Sequence, residues 1–121
     1  MKHLNLLVLR CRDIEASRRF YEVLDLRFEA HAHGDGPRHY ACEDERGVLE
    51  LYPAATPAAG DKTGVGFASP DIEAVSARLA AAGFQPQPPR VNPWGRTFVV
   101  RDPDDRRVEI KEAIQPEQEN S

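Results

Sequence analysis

Apolar and polar positions along the chain follow two rhythms, one of strands and one of helices. From His3 to Cys11, apolar Leu4, Leu6, Leu7, Val8 and Leu9 make an almost continuous run that predicts a strand. Ile14, Ser17, Phe20, Tyr21 and Leu24 then share one helical face, and Asp13 ahead of them suits an N-cap. Strands are predicted at 27–33, 38–43 and 48–52, with the turn signal Gly34-Asp35-Gly36-Pro37 and a second turn at 44–47 between them. The order then restarts with a strand at 63–69 and a helix capped by Asp71. Its stripe is Ile72, Val75, Leu79 and Ala82, and Gly83 is placed as the C′ residue. Residues 85–91, broken by Pro86, Pro88 and Pro89, read as an edge strand. Strands at 96–101 and 106–112 complete the pattern.

The restart is a duplication. Asp13-Ile14-Glu15-Ala16 recurs 58 positions later as Asp71-Ile72-Glu73-Ala74. Each half ends on an apolar strand with one central glutamate, Glu50 and Glu109, 59 positions apart. The chain therefore reads as α+β: one domain, 1–121, built from module one (3–52), a linker rich in Ala, Pro and Gly (53–62), module two (63–113) and a polar, frayed tail (114–121). A half of about 60 residues closes a poor core alone. Two halves side by side would bury the helices behind a sheet and leave its other face concave.

Composition narrows the chemistry. A net charge of −4 argues against nucleic acid as a partner. The basic doublets Arg18-Arg19 and Arg106-Arg107 read as solvated surface. No apolar stretch approaches the roughly 20 residues of a membrane span, and no signal peptide is evident. Cys11 and Cys42 lack metal spacing and read as reduced thiols of a cytoplasmic protein. No phosphate loop, nucleophile elbow or redox Cys motif occurs.

Glu50 and Glu109 are the first candidates for function. They read either as inward carboxylates for a ligand cation, a metal or a proton, or as salt-bridged remnants whose partners by strand parity are Arg10 and Lys111. His39 sits on a strand expected to line the concave face. His31 and His33 share one face of their strand and read as a solvated strand end. Tyr52 shares the parity of Glu50. Trp94 reads as an aromatic wall, a dimer contact or a core plug. Asp105 is expected to tolerate a left-handed turn.

The order of these motifs resembles the vicinal-oxygen-chelate superfamily of glyoxalase I, bleomycin-resistance proteins and extradiol dioxygenases. The resemblance rests on Val8-Leu9-Arg10, Asp13 to Ser17, Phe20-Tyr21, Leu24 to Phe28, Val48 to Leu51, Gly66-Phe67, Asp71-Ile72, Trp94-Gly95, Asp102-Pro103-Asp104 and Val108-Glu109-Ile110. It implies tandem βαβββ modules curling into a half-barrel cup, with helices on the convex side, and a homodimer. It also implies four inward positions for a metal. Two match Glu50 and Glu109; the other two fall on Leu6 and Val65, which offer no lone pair.

That incomplete set leads to two readings. In the first, the protein binds a small organic molecule in the cup without a cofactor. Leu6, Val8 and Val65 would line the floor, Arg10, Glu50, Tyr52, Glu109 and His39 would fix polar groups, and Trp94 would stand at the rim. In the second, it is a glyoxalase-like lyase or isomerase. Glu50, Glu109 and His39 would then hold a divalent ion (Mn, Mg, Ni or Zn), with Glu109 as the catalytic proton-transfer base. Dioxygenase chemistry, which needs two histidines and a carboxylate, is disfavoured.

Overall fold

Asp13 and Asp71 start equivalent helices by the same local chemistry. The computed structural model describes residues 2–55 and 62–113. In it, Asp13 accepts hydrogen bonds from the backbone N–H groups of Glu15 (3.0 Å) and Ala16 (3.2 Å), and Asp71 accepts one from Ala74 (3.0 Å). Helices α1 (Ile14–Val23) and α2 (Ile72–Ala81) follow. Each also ends alike. Gly83, at φ 96°, donates to Ala80 O while Phe84 donates to Leu79 O; Asp25, at φ 69°, donates to Glu22 O while Leu26 donates to Tyr21 O. Both are left-handed C′ residues closing a Schellman-type turn. The expected Gly83 stop is present, and its counterpart in module one is an aspartate.

The chain divides into two compact units, Met1–Ala59 and Gly60–Ser121. In the first, β1 (Leu6–Cys11), β2 (Glu29–His31), β3 (His39–Asp44) and β4 (Gly47–Pro53) form a mixed sheet in the order β1-β4-β3-β2. In the second, β5 (Val65–Ser69), β6 (Arg90–Asn92), β7 (Gly95–Arg101) and β8 (Arg107–Glu112) repeat it as β5-β8-β7-β6. These are tandem βαβββ modules of an α+β fold. The first and last strands of each module are parallel and the hairpins antiparallel. Of the edge strand expected at 85–91, only the end forms: β6 spans three residues after Pro86, Pro88 and Pro89 and lies at the sheet edge. Of the linker, residues 56–61 lie outside the described residues, as does the whole tail 114–121.

One face of each sheet is covered. In module one, Ser17, Phe20 and Tyr21 of α1 are buried together with Leu9, Cys11, Tyr40 and Leu51, which share the other strand parity from Glu50. In module two, Ile72, Val75 and Leu79 of α2 are buried, as are Val65, Phe98, Val100, Val108 and Ile110 on one sheet face. Each such large side chain contributes about 1.5–3 kcal/mol on leaving water. Cys11 and Cys42 are free thiols.

The repeated Asp-Ile-Glu-Ala also ties helix to sheet. Tyr40 on β3 donates its hydroxyl to Glu15, and Arg18 bridges Glu15 and Glu22 along α1. In module two, Glu73 takes Arg96 of β7, whose guanidinium also meets Glu112 of β8 at 3.3 Å.

The reading of Arg106-Arg107 as solvated surface holds for Arg107 and fails for Arg106. Arg106 has no exposure, because its guanidinium turns back onto the Asp-Pro-Asp turn, 3.1 Å from Asp102 Oδ2. Asp102 Oδ1 accepts from the backbone of both Asp104 and Arg106, each at 2.9 Å. Asp105 takes φ 64°, as its place in the turn requires.

Candidate functional site

The face of the module-one sheet opposite α1 carries the residues of alternate parity, and register fixes how they line up. Glu29 pairs with Ala41, Ala41 with Glu50, and Glu50 with Val8, making one row across four strands. A second row holds aromatic rings. His31 pairs with His39, whose ring stacks on Tyr52 with centroids 4.1 Å apart and planes 9° apart. Tyr52 pairs with Arg10, whose guanidinium lies 4.9 Å from the centre of the Tyr52 ring. Beyond the end of β2, His33 joins its ring to the group, 5.9 Å from His31 and 5.4 Å from His39.

A pocket of about 450 Å³ opens against these rows. His31, His33 and His39 line it, Ala41 and Val48 are its apolar contacts, and Glu29, Glu43, Glu50 and Arg27 bring the charges. His39 is the anchor, at 2% exposure. Its Nδ1 lies 3.2 Å from Pro37 O. A carbonyl can only accept, so Nδ1 carries the proton, and in the neutral ring Nε2 accepts from Tyr52 OH at 3.3 Å. Glu50 Oε2 stands 3.8 Å from that same Nε2, beyond hydrogen-bond reach.

His39, Glu50 and Tyr52 are thus brought together, with Arg10 on the far side of the Tyr52 ring. Leu6 and Val8 share their sheet face but do not line this pocket, which lies over β2, β3 and β4 rather than β1. Leu6 is 49% exposed. Sequence reading passed over His31, His33, Glu29, Glu43 and Arg27. The signal for the first four was available: period-two parity with His39 and Glu50, carried across the hairpin closed by Gly34 to Pro37.

In module two, Glu109 keeps the mid-strand place of Glu50 and has Arg107 Nη1 3.8 Å away. Its partner on β5 is Gly66, not Val65. Val65 pairs with Val108 and is buried on the opposite face, which removes it from the predicted inward set. The placement of Val65 assumed one period of 59. Register gives 58 for the first strands (Val8 to Gly66) and 59 for the last (Glu50 to Glu109), because the final hairpin carries one extra residue. Trp94 is 55% exposed in the turn between β6 and β7, so it is not a core plug.

The donor set does not suit a family-type metal. Beside Glu50 the first strand presents Val8, and beside Glu109 it presents Gly66, neither with a lone pair. The lone pair of His39 Nε2 is taken by Tyr52. Among the described residues, no group of three or more His, Cys, Asp and Glu is placed to hold a metal ion.

Comparison with known proteins agrees with the architecture. The sequence model of the Glyoxalase/Bleomycin resistance protein/Dioxygenase superfamily matches residues 3–110. Among solved structures, TnmS3, an antibiotic binding protein from a Streptomyces species, is 24% identical, with 92% of this chain and 95% of that one covered and a TM-score of 0.77. A bleomycin resistance determinant encoded on the transposon Tn5 is 18% identical over 94% of this chain and 100% of that one, with a TM-score of 0.67. A lactoylglutathione lyase from Agrobacterium tumefaciens is 19% identical over 92% and 93%, with a TM-score of 0.68. A comparison with curated proteins found no match.

Proposed function

Since the chain belongs to the glyoxalase/bleomycin resistance protein/dioxygenase superfamily, we propose that it is a small-molecule-binding protein of the bleomycin-resistance type, taking an organic ligand in the imidazole-lined pocket of module one and using no metal to do so. The observation that carries this reading is the divergence around the two glutamates. The carboxylates are kept in both modules, while their first-strand neighbours are Val8 and Gly66. Module one has instead gathered three imidazoles into one pocket with Glu50, and Tyr52 against His39. A concave site with a few placed polar groups is what ligand capture needs. The antibiotic binding of the Streptomyces protein agrees with it. Homodimerisation and a cytoplasmic location belong to the same reading, the second supported by two free thiols.

The glyoxalase-like lyase or isomerase is the competing reading. It would need Glu50 and Glu109 to hold a divalent ion and Glu109 to move a proton. Metal analysis of the purified protein separates the two. Binding without metal predicts sub-stoichiometric Mn, Ni and Zn, and no loading on incubation with each. Stoichiometric metal that disappears in the Glu50→Gln, Glu109→Gln double variant would overturn the binder.

A further inference from the structure

Resting on the binding reading above, we infer that the module-one pocket selects an organic cation, a ligand presenting an ammonium, amidinium or guanidinium group. The charges around the pocket point to it. Three carboxylates, Glu29, Glu43 and Glu50, face one guanidinium, Arg27, so the lining carries two net negative charges while the imidazoles are neutral. The second arginine of this face, Arg10, does not line the pocket; its guanidinium lies over the Tyr52 ring.

Glu50 is the decisive acid. Its side chain keeps 22% exposure, and the basic group it meets is His39 Nε2 at 3.8 Å. With Nδ1 committed to Pro37 and Nε2 accepting from Tyr52, a neutral His39 offers Glu50 no proton. A half-buried carboxylate in that position gains most from a cation arriving with N–H donors, because charge-assisted bonds are about twice as strong as neutral ones. The imidazoles suit the same guest. His31 and His33 both line the pocket, their rings 16° apart, and an imidazole in its neutral form offers a cation a π-system and an acceptor nitrogen. An anion would meet the same carboxylates as like charge.

The test uses three flat probes of one shape: benzamidine (cationic), benzamide (neutral) and benzoate (anionic). Calorimetry gives affinity, and histidine ring NMR resonances give location. Benzamidine is expected to move the His31, His33 and His39 signals and to bind at least about tenfold more tightly than benzamide. Glu50→Gln is expected to erase that preference, while Glu22→Gln, on the exposed side of α1, leaves it intact. If benzamide or benzoate moves the same resonances with equal or greater affinity, the cation inference is overturned and the pocket stands. If none of the three moves those resonances at millimolar concentration, the inference falls together with the assignment of the pocket as the ligand site.

Discussion

Glu15 shows how a single side chain of the repeated motif becomes a thermodynamic element. The hydroxyl of Tyr40 donates to its carboxylate, and Arg18 and Arg38 add positive charge, so the carboxyl is held below its ordinary value of 4.5. A depressed folded-state pKa adds stability that is fully present above the unfolded value and is lost as pH falls through the folded one. Carbonyl NMR titration should therefore place the Glu15 midpoint below 4.5, and Tyr40→Phe should move it upward. A midpoint unchanged by Tyr40→Phe would mean that the hydroxyl is not the main cause. Asp102 acts through a buried ion pair instead. Asp102 and Arg106, at 4% and 0% exposure, are a buried pair, and Asp104 Oδ2 lies 3.5 Å from the same guanidinium, so Asp102→Ala removes the nearer of its two carboxylates. Loss of one partner is expected to cost about 3–5 kcal/mol in denaturant unfolding. Asp25 is the opposite case: its φ of 69° is free to glycine and strained for aspartate. Asp25→Gly should stabilise the fold by up to about 1 kcal/mol, the steric gain exceeding the added chain entropy.

At the scale of elements, the hairpin between β3 and β4 depends on backbone contact. A Cβ added at Gly47 would stand 2.5 Å from Asn5 O and 2.7 Å from Asn5 Cα, while Val48 N donates to that same Asn5 O at 2.8 Å. Backbone cannot rotate away as a side-chain tip can. Gly47→Ala is expected to lower stability by about 1–3 kcal/mol, read from the unfolding midpoint; an unshifted midpoint would mean that the chain before β1 is not fixed there. The helices were legible in the sequence because caps and stripes are local: Asp13, Asp71 and Gly83 take the places predicted for them. Short strands were less so. His3 to Asn5 and Arg27-Phe28 look extended by composition but fall outside β1 and β2, since strand ends are set by pairing partners rather than by their own residues. Arg106 escaped for a similar reason. Its burial depends on a turn folding back over it, and a basic doublet carries no trace of that.

The duplication belongs to the whole chain, and register shows what became of it. His31, His39, Tyr52 and Arg10 cross the module-one sheet; the corresponding row of module two is Arg90, Thr97, Lys111 and Ala68. Glu43 and Val48 likewise correspond to Arg101 and Arg107. One ancestral face has become acidic and imidazole-rich, the other cationic. The glutamates kept by both modules therefore sit in opposite surroundings, Glu50 beside His39 and Glu109 beside Arg107. The sequence displayed the kept carboxylates plainly and the exchanged neighbours poorly, because the neighbours are assigned only once the one-residue difference between hairpins is known. Unequal surroundings predict unequal variants. Glu50→Gln should shift the histidine ring resonances of the free protein and weaken binding of a cationic probe at least about tenfold. Glu109→Gln, which removes a half-exposed pair with Arg107, should leave those resonances in place and change stability by about 1 kcal/mol or less. Equal loss of a bound divalent ion from either variant would mean that the two carboxylates still act as one site, and that the modules diverged around a metal rather than away from it.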